Sequence, residues 1–203
     1  IHKPFVNTDT QKSSIATSAQ IAPSAIIHDG VVIGERANIH DGVIIMPGCI
    51  IGNDSNIHPG TTIGTIGFFS KPIFGKKTQV EHFGGVSIGE NCIIHARCNI
   101  SRSANHAEST IIADNVHIGI GANIAHDCKV GNNTILINGA TLAGHVEIED
   151  FAVIGAFSSV HQFVRVGRNS YIGSHTIVLQ DILPFSKVSQ SKESYNFFGP
   201  NAI

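Results

Sequence analysis

Tryptophan is absent from this chain, and only one methionine and two tyrosines occur. Charged residues make up only 14% of it. That composition argues against a helical bundle, which draws on Leu, Ala, Glu and Lys. The formal net charge of −2 gives no basic footprint for nucleic acid. No apolar run reaches the ~18 residues of a membrane-spanning helix. The four cysteines, Cys49, Cys92, Cys98 and Cys128, form no C-x-x-C pair, and no tight metal-ligand spacing is present, so no metal is expected. They read as buried, reduced thiols. No secretory leader is visible at the start, which opens on Ile1 rather than Met, and a cytoplasmic location is expected.

What the chain has instead is glycine, isoleucine and a strict period. Isoleucines recur every six residues from Ile15 to Ile63, the register returns at Ile88, Ile94 and Ile100, and it then runs from Ile112 to Val178. These are 24 aliphatic positions. The residue two before each is usually small, as at Ala37, Cys49, Ser55, Cys92, Cys98, Ala122 and Cys128, so all four cysteines share this slot. Glycine often follows, as at Gly52, Gly131 and Gly155. Six is neither the helical period nor plain strand alternation. It fits a short strand, a turn and another short strand, with the aliphatic residue inward and Gly or Asn at the turn. Stacked rungs of this kind make a continuous interior column.

The period divides the chain. Residues 1–12 read as a polar lead-in, 13–181 as the repeat, and 182–203 as a tail that begins where Pro184 blocks a further ladder strand. Between Ile63 and Ile88 the step is 25, so residues 65–85 must leave the repeat. This aromatic and basic stretch reads as a protruding arm that contacts substrate or a neighbouring subunit, or as a lid over the helix side. Between Ile100 and Ile112 the step is twelve, and a loop in place of one face is expected around His106. His28, His40 and His58 fall at turns and read as solvated or turn-bonded.

The pattern resembles the left-handed parallel β-helix of the hexapeptide acyltransferases, an all-β fold in which three hexapeptides close one triangular coil. The resemblance implies about eight coils and the left hand, which crossover sterics alone would not give. With about 18 residues per coil, His126, His145 and His161 lie on or near one edge, being 19 and 16 apart. A sugar hydroxyl needs a base to take its proton during acyl transfer, and an imidazole suits that role near neutral pH. His126, with adjacent Asp127 to orient it, is the candidate base, and the backbone N–H near Gly144 is a candidate oxyanion donor. Cys128 falls in a buried slot, so direct transfer without a covalent intermediate is expected.

The stretches Ile124-Ala-His126-Asp127-Cys128, Thr141-Leu-Ala-Gly144-His145 and Val160-His161-Gln162-Phe163 resemble the UDP-N-acetylglucosamine acyltransferases of lipid A biosynthesis. The resemblance implies transfer of a 3-hydroxyacyl group from acyl carrier protein to the sugar 3-hydroxyl in a homotrimer with sites between subunits. It makes His126 the base, Asp127 its partner and Gly144 the oxyanion donor. His145, His161, Gln162 and Asn201 become contacts to the sugar nucleotide or acyl donor. The donor rides on phosphopantetheine of acyl carrier protein, or on CoA, and no other cofactor is implied. The family's C-terminal helical domain is expected to be absent or truncated, since 182–203 alone follow the repeat. The stretches Ile66-Gly-Phe-Phe69 and Val80-Glu-His82-Phe-Gly84 are closer to the sister N-acyltransferase.

Other readings stay open at this stage. They are N-acylation of an amino-sugar nucleotide, CoA-dependent acetyl transfer, a zinc-dependent carbonic anhydrase-like trimer recruiting His82, His117, His126 and His145, and a non-catalytic β-helix. Ser174 stands where the O-acyltransferases often have glycine, and its extra bulk predicts a shorter preferred acyl chain. Rates measured with donors of graded length test this. The rate should fall with the longest chains and recover in Ser174→Gly; equal rates across the series reject it.

Overall fold

The computed structural model describes residues 12–190 and the strand 195–200. Three parallel sheets run the length of the chain and form the faces of a triangular prism. The first carries strands from Ser14–Ile15 to Arg165–Val166, and the third carries strands from Ile26–Ile27 to Ile177–Val178. Each of these has eight strands, and the second, which starts at Gln20–Ile21, has ten. Strands eighteen residues apart pair in register, Ile33 on Ile51 and Ile124 on Leu142. The 24 aliphatic positions therefore distribute as eight coils of three. The inward side chains from Ile33 to Ile124 are essentially fully buried. Burial at roughly 25 cal/mol per Å² of apolar surface, repeated rung after rung, is the main stabilising contribution. All four cysteines are buried and unpaired.

The corners explain the rest of the pattern. The third residue after an inward aliphatic turns the chain through the left-handed region, which costs a non-glycine residue about 1–2 kcal/mol. Gly42, Gly60 and Gly121 relieve that cost at one corner, while Asp54, Asn115 and Asn133 carry it at another. The glycine that follows the strand has a different reason. A Cβ on Gly52 would lie 2.3 Å from the Gly89 carbonyl oxygen of the next coil. The Asn or Asp beside it bonds the adjacent rung, as where Asn132 N–H donates to Asp150 Oδ1 at 2.7 Å.

Both interruptions leave from the same place, the corner between the third face of one coil and the first face of the next. After Gly64 the chain forms an antiparallel hairpin, Ser70–Ile73 against Lys76–Gln79, and rejoins at Gly85–Ile88. After Ser101 it makes a loop over 102–108 and rejoins at Ser109–Ile112. This corrects the expectation for the twelve-residue step. The loop is added at a corner, no face is lost, and His106 is exposed on it rather than turned into the column.

The upper boundary also moves. Ile182 bridges to Val166, and Ser186–Gln190 pairs in parallel with Tyr171–Ile172, so two faces of a ninth coil follow residue 181. Pro184 does not end the ladder because it sits in the corner between those faces, packed over Gly167. Tyr195–Pro200 then pairs antiparallel with Ser186–Gln190. Among the described residues there is no helix, and none long and apolar enough to cross a membrane.

A second corner carries a column of imidazoles. His40, His58 and His95 stack with ring centroids 4.9 and 5.0 Å apart. His40 Nε2 also lies 2.8 Å from Asn56 Oδ1, so these turn histidines are ordered rather than merely solvated. Burial first, then the neighbouring His40 and His95, hold the proton affinity of His58 below its ordinary value. The unfolded chain then binds more protons than the folded one, so this contribution is present above the unfolded value of 6.5 and is lost as pH falls below it. Urea midpoints measured between pH 8 and pH 5 should fall, and His58→Asn should flatten part of that fall. Identical slopes in the two chains would show that the column does not titrate with folding.

Candidate active site

The corner that carries both excursions also carries His126. It follows the strand Asn123–Ile124 and is largely buried, with 12% of its side chain exposed. Its Nδ1 lies 2.7 Å from Asp127 Oδ2. Asp127 sits at φ +62°, the left-handed corner position, and this turns its carboxylate back under the imidazole. The carboxylate has further donors. Ser103 Oγ–H bonds Oδ1, the Ala104 N–H lies 3.2 Å from Oδ1, and His145 Nε2 lies 3.6 Å from Oδ2. Thr110 Oγ1 accepts the Asp127 N–H at 2.9 Å. Burial alone would raise the proton affinity of Asp127. The bonds from Ser103, His126 and Ala104 outweigh it and hold the carboxyl below the ordinary range. An ionised Asp127 accepting at Nδ1 fixes the tautomer of His126 that leaves Nε2 free as a base.

That nitrogen faces Gly144 of the next coil. A Cβ on Gly144 would lie 2.9 Å from His126 Nε2, so only glycine fits there. The Gly144 N–H makes no hydrogen bond among the described residues. Together they border a cleft of about 610 Å³. The arm supplies one wall through Ile66, Phe68 and Phe69, and the coils supply Asn99, Asn123, Gln162 and Phe163. Asn99 Nδ2–H donates to Asn123 Oδ1 at 3.0 Å and Thr65 Oγ1 donates to Asn99 Oδ1 at 2.6 Å, giving a polar floor beside apolar walls. His145 lies against His126 with ring centroids 5.3 Å apart and stacks on Phe163 at 4.7 Å.

The structure thus brings together His126, Asp127, Gly144, His145 and Gln162. His161 belongs to the same corner but is exposed, with Nδ1 3.2 Å from the Gln162 carbonyl oxygen. Ser174 is exposed at the second corner, away from this cleft. Asn201 lies outside the described residues. Cys128 is buried, and burial pushes its thiol up to about 12, which suits no nucleophile. Among the described residues one group has the spacing to hold a metal, His126, Asp127 and His145. His117 is on the second face and does not join it.

Sequence reasoning missed Ser103, Asn99 and Asn123, and it raised His82 only as a candidate zinc ligand. Ser103 sits in the twelve-residue gap, where the excess of six signals a loop without saying where it lands. His82 comes from the far limb of the arm. Asn99 and Asn123 occupy the slot before inward Ile100 and Ile124, and the gap between them hides that they are on neighbouring coils.

Comparison with known proteins follows the same lines. The bacterial transferase hexapeptide family, a six-repeat pattern, matches residues 30–65 and 145–180. An acyl-[acyl-carrier-protein]–UDP-N-acetylglucosamine O-acyltransferase of Sinorhizobium fredii is 37% identical over 187 residues, covering 86% of this chain and 69% of that protein. Its namesake from Campylobacter concisus is 38% identical over 180 residues, covering 81% and 68%. The crystal structure of the Francisella novicida UDP-N-acetylglucosamine acyltransferase superposes with a TM-score of 0.78 at 32% identity, covering 93% of this chain and 69% of that one. The prism is accordingly a left-handed parallel β-helix.

Gly67 is a second backbone position pressed against His126. A Cβ there would lie 2.9 Å from His126 Cδ2 and 3.0 Å from His82 Nε2. Gly67→Ala should therefore displace the His126 ring and lower kcat/KM on the order of 10²-fold, since small misplacements of a reacting group carry that cost. Far-UV circular dichroism checks that the prism is intact. A folded Gly67→Ala chain with native kcat/KM would show that the His126 position is not critical.

Proposed function

The chain belongs to the acyl-[acyl-carrier-protein]–UDP-N-acetylglucosamine O-acyltransferase family of hexapeptide-repeat proteins, and we propose that it performs that acyl transfer in the cleft at His126. The acceptor is the sugar 3-hydroxyl of UDP-N-acetylglucosamine or a close relative. The donor is a (3-hydroxy)acyl thioester on the phosphopantetheine of acyl carrier protein. One observation carries this reading. His126 is held through Nδ1 by an ionised Asp127, and its Nε2 borders the cleft beside the unbonded N–H of Gly144.

The steps follow from that geometry. The hydroxyl oxygen attacks the thioester carbonyl carbon as His126 Nε2 takes the hydroxyl proton. Asp127 stabilises the imidazolium that forms. The carbonyl oxygen becomes an oxyanion, and the unbonded Gly144 N–H is the donor this reading assigns to it. When the tetrahedral intermediate collapses, the carbon–sulfur bond breaks and the thiol leaves with the proton returned by His126. The products are the sugar ester and the free thiol of the carrier. His145, stacked on Phe163, and Gln162 border the same cleft and are suited to hydrogen-bond the sugar or the donor. Ile66, Phe68 and Phe69 offer apolar surface to the acyl chain.

A homotrimer belongs to this reading. His161 and Ser174 are exposed and do not line the cleft of their own chain, so in a trimer with sites between subunits they would serve a neighbouring copy. No lysine or arginine lines the cleft among the described residues, which leaves the phosphates of both substrates to be met from outside it. The decisive measurement is the rate of His126→Ala with acyl carrier protein donor and UDP-N-acetylglucosamine. A base of this kind contributes typically 10²–10⁴-fold, so a loss on the order of 10²-fold or more is expected with the fold intact. A rate within a few-fold of native would end this assignment.

A further inference from the structure

His82 is the odd residue of this molecule. It is 3% exposed, and its Nε2 is the one buried side-chain nitrogen or oxygen without a partner among the described residues. Its Nδ1 lies 3.0 Å from the Val80 carbonyl oxygen. A carbonyl only accepts, so Nδ1 carries the hydrogen and Nε2 is a bare lone pair. Burial holds the ring neutral, opposed by the Val80 bond and reinforced by nearby His126. Leaving an acceptor unpaired inside a protein costs free energy that an apolar residue of the same size would not incur. The position of the lone pair accounts for that cost.

The His82 ring meets the His126 ring edge-on, with centroids 4.9 Å apart and planes at 73°. His82 Nε2 and His126 Cδ2 converge on one point above the Gly67 Cα, where a single added carbon would sit 3.0 and 2.9 Å from them. A neutral imidazole is a dipole whose negative end is the unprotonated nitrogen. That end lies on the Gly67 side that it shares with the Cδ2 edge of the ring that becomes positive during the reaction. The other groups facing His126 are already occupied. Asp127 is on Nδ1, His145 and Gly144 are on the next coil, and Phe69 is 6.1 Å away on the arm. Arg102, the nearest cation on the adjoining loop, spends donors on the Gly64 and Pro47 carbonyls.

We propose that His82 is a positioning residue for the acyl transfer, a buried neutral imidazole that fixes the His126 ring from its Cδ2 side and stabilises the imidazolium formed when His126 takes the nucleophile's proton. It never exchanges that proton itself, since Nδ1–H is committed to Val80 and His82 does not itself line the cleft. The arm therefore does more than wall the cleft. Its far limb brings in a dipole that the repeat cannot place. This inference rests on His126 acting as the base.

His82→Phe keeps a ring and removes the dipole, while His82→Gln keeps an acceptor and a donor. Nitrogen-15 spectra of histidine-labelled chain follow protonation of His126 without turnover. In His82→Phe, His126 should take up its proton at lower pH than in the native chain. With both KM values unchanged, kcat should fall about ten-fold, the scale of one preorganised dipole. His82→Gln should restore most of kcat. Superimposable His126 titrations in His82→Phe and the native chain overturn the proposal, as does a His82→Phe kcat equal to native. If phenylalanine prevents folding, as judged by thermal melting, His82→Leu takes its place with the same two readouts. Failure of the base assignment is separately visible as a native rate in His126→Ala.

Discussion

Backbone hydrogen bonding between strands eighteen residues apart is the constraint from which the other features of this protein follow. It places Ile124 on Leu142 and Leu142 on Val160. It therefore stacks whatever follows each of them at the same corner. His126, Gly144 and Gln162 are far apart along the chain, yet they meet because each stands two residues beyond a rung. No tertiary packing decision is needed beyond the ladder itself. A helix-based site must align several elements through side-chain contacts, whereas here the backbone register alone sets the distances.

The corners convert that register into chemistry. A turn sharp enough to close a triangle forces one residue into the left-handed region, and glycine or asparagine usually fills it. At the corner of the candidate site the position is held by Asp127 and His145 instead. In both, the left-handed turn carries the side chain back toward the His126 ring. The strain of an unfavourable φ is offset by the bonds that Asp127 receives from Ser103, Ala104 and His126. Loop 102–108, which looks like an interruption, is thus what keeps the carboxylate ionised and aimed.

How far the residues alone revealed this depends on which ones carried a period. Ile15 to Val178 announced the stacked rungs and their inward column, because six is neither the helical nor the strand period, and the family resemblance added three hexapeptides to a coil and hence about eight coils. The cysteines fell in the buried slot that period assigned them. His126, Asp127 and Gly144 were legible because they stand at fixed offsets from inward residues and share motifs with a known family. What stayed hidden was aperiodic. The ninth coil was obscured by Pro184, a residue that blocks a strand but is at home in a corner. Ser103 and His82 lie in excursions whose lengths are readable but whose landing points are set by packing against the prism. No spacing rule connects His82 to a ring 44 residues later.

Both excursions leave from one corner and rejoin the ladder in the register they left. Folding and recognition are thereby assigned to different stretches of chain. Randomising residues 68–79 and 105–108 in a directed-evolution library would redraw the walls around the imidazole while every rung stayed in place. A scaffold arranged in this way lets substrate preference drift at little cost to its stability, which gives such prisms room to diversify from one acyl acceptor to the next.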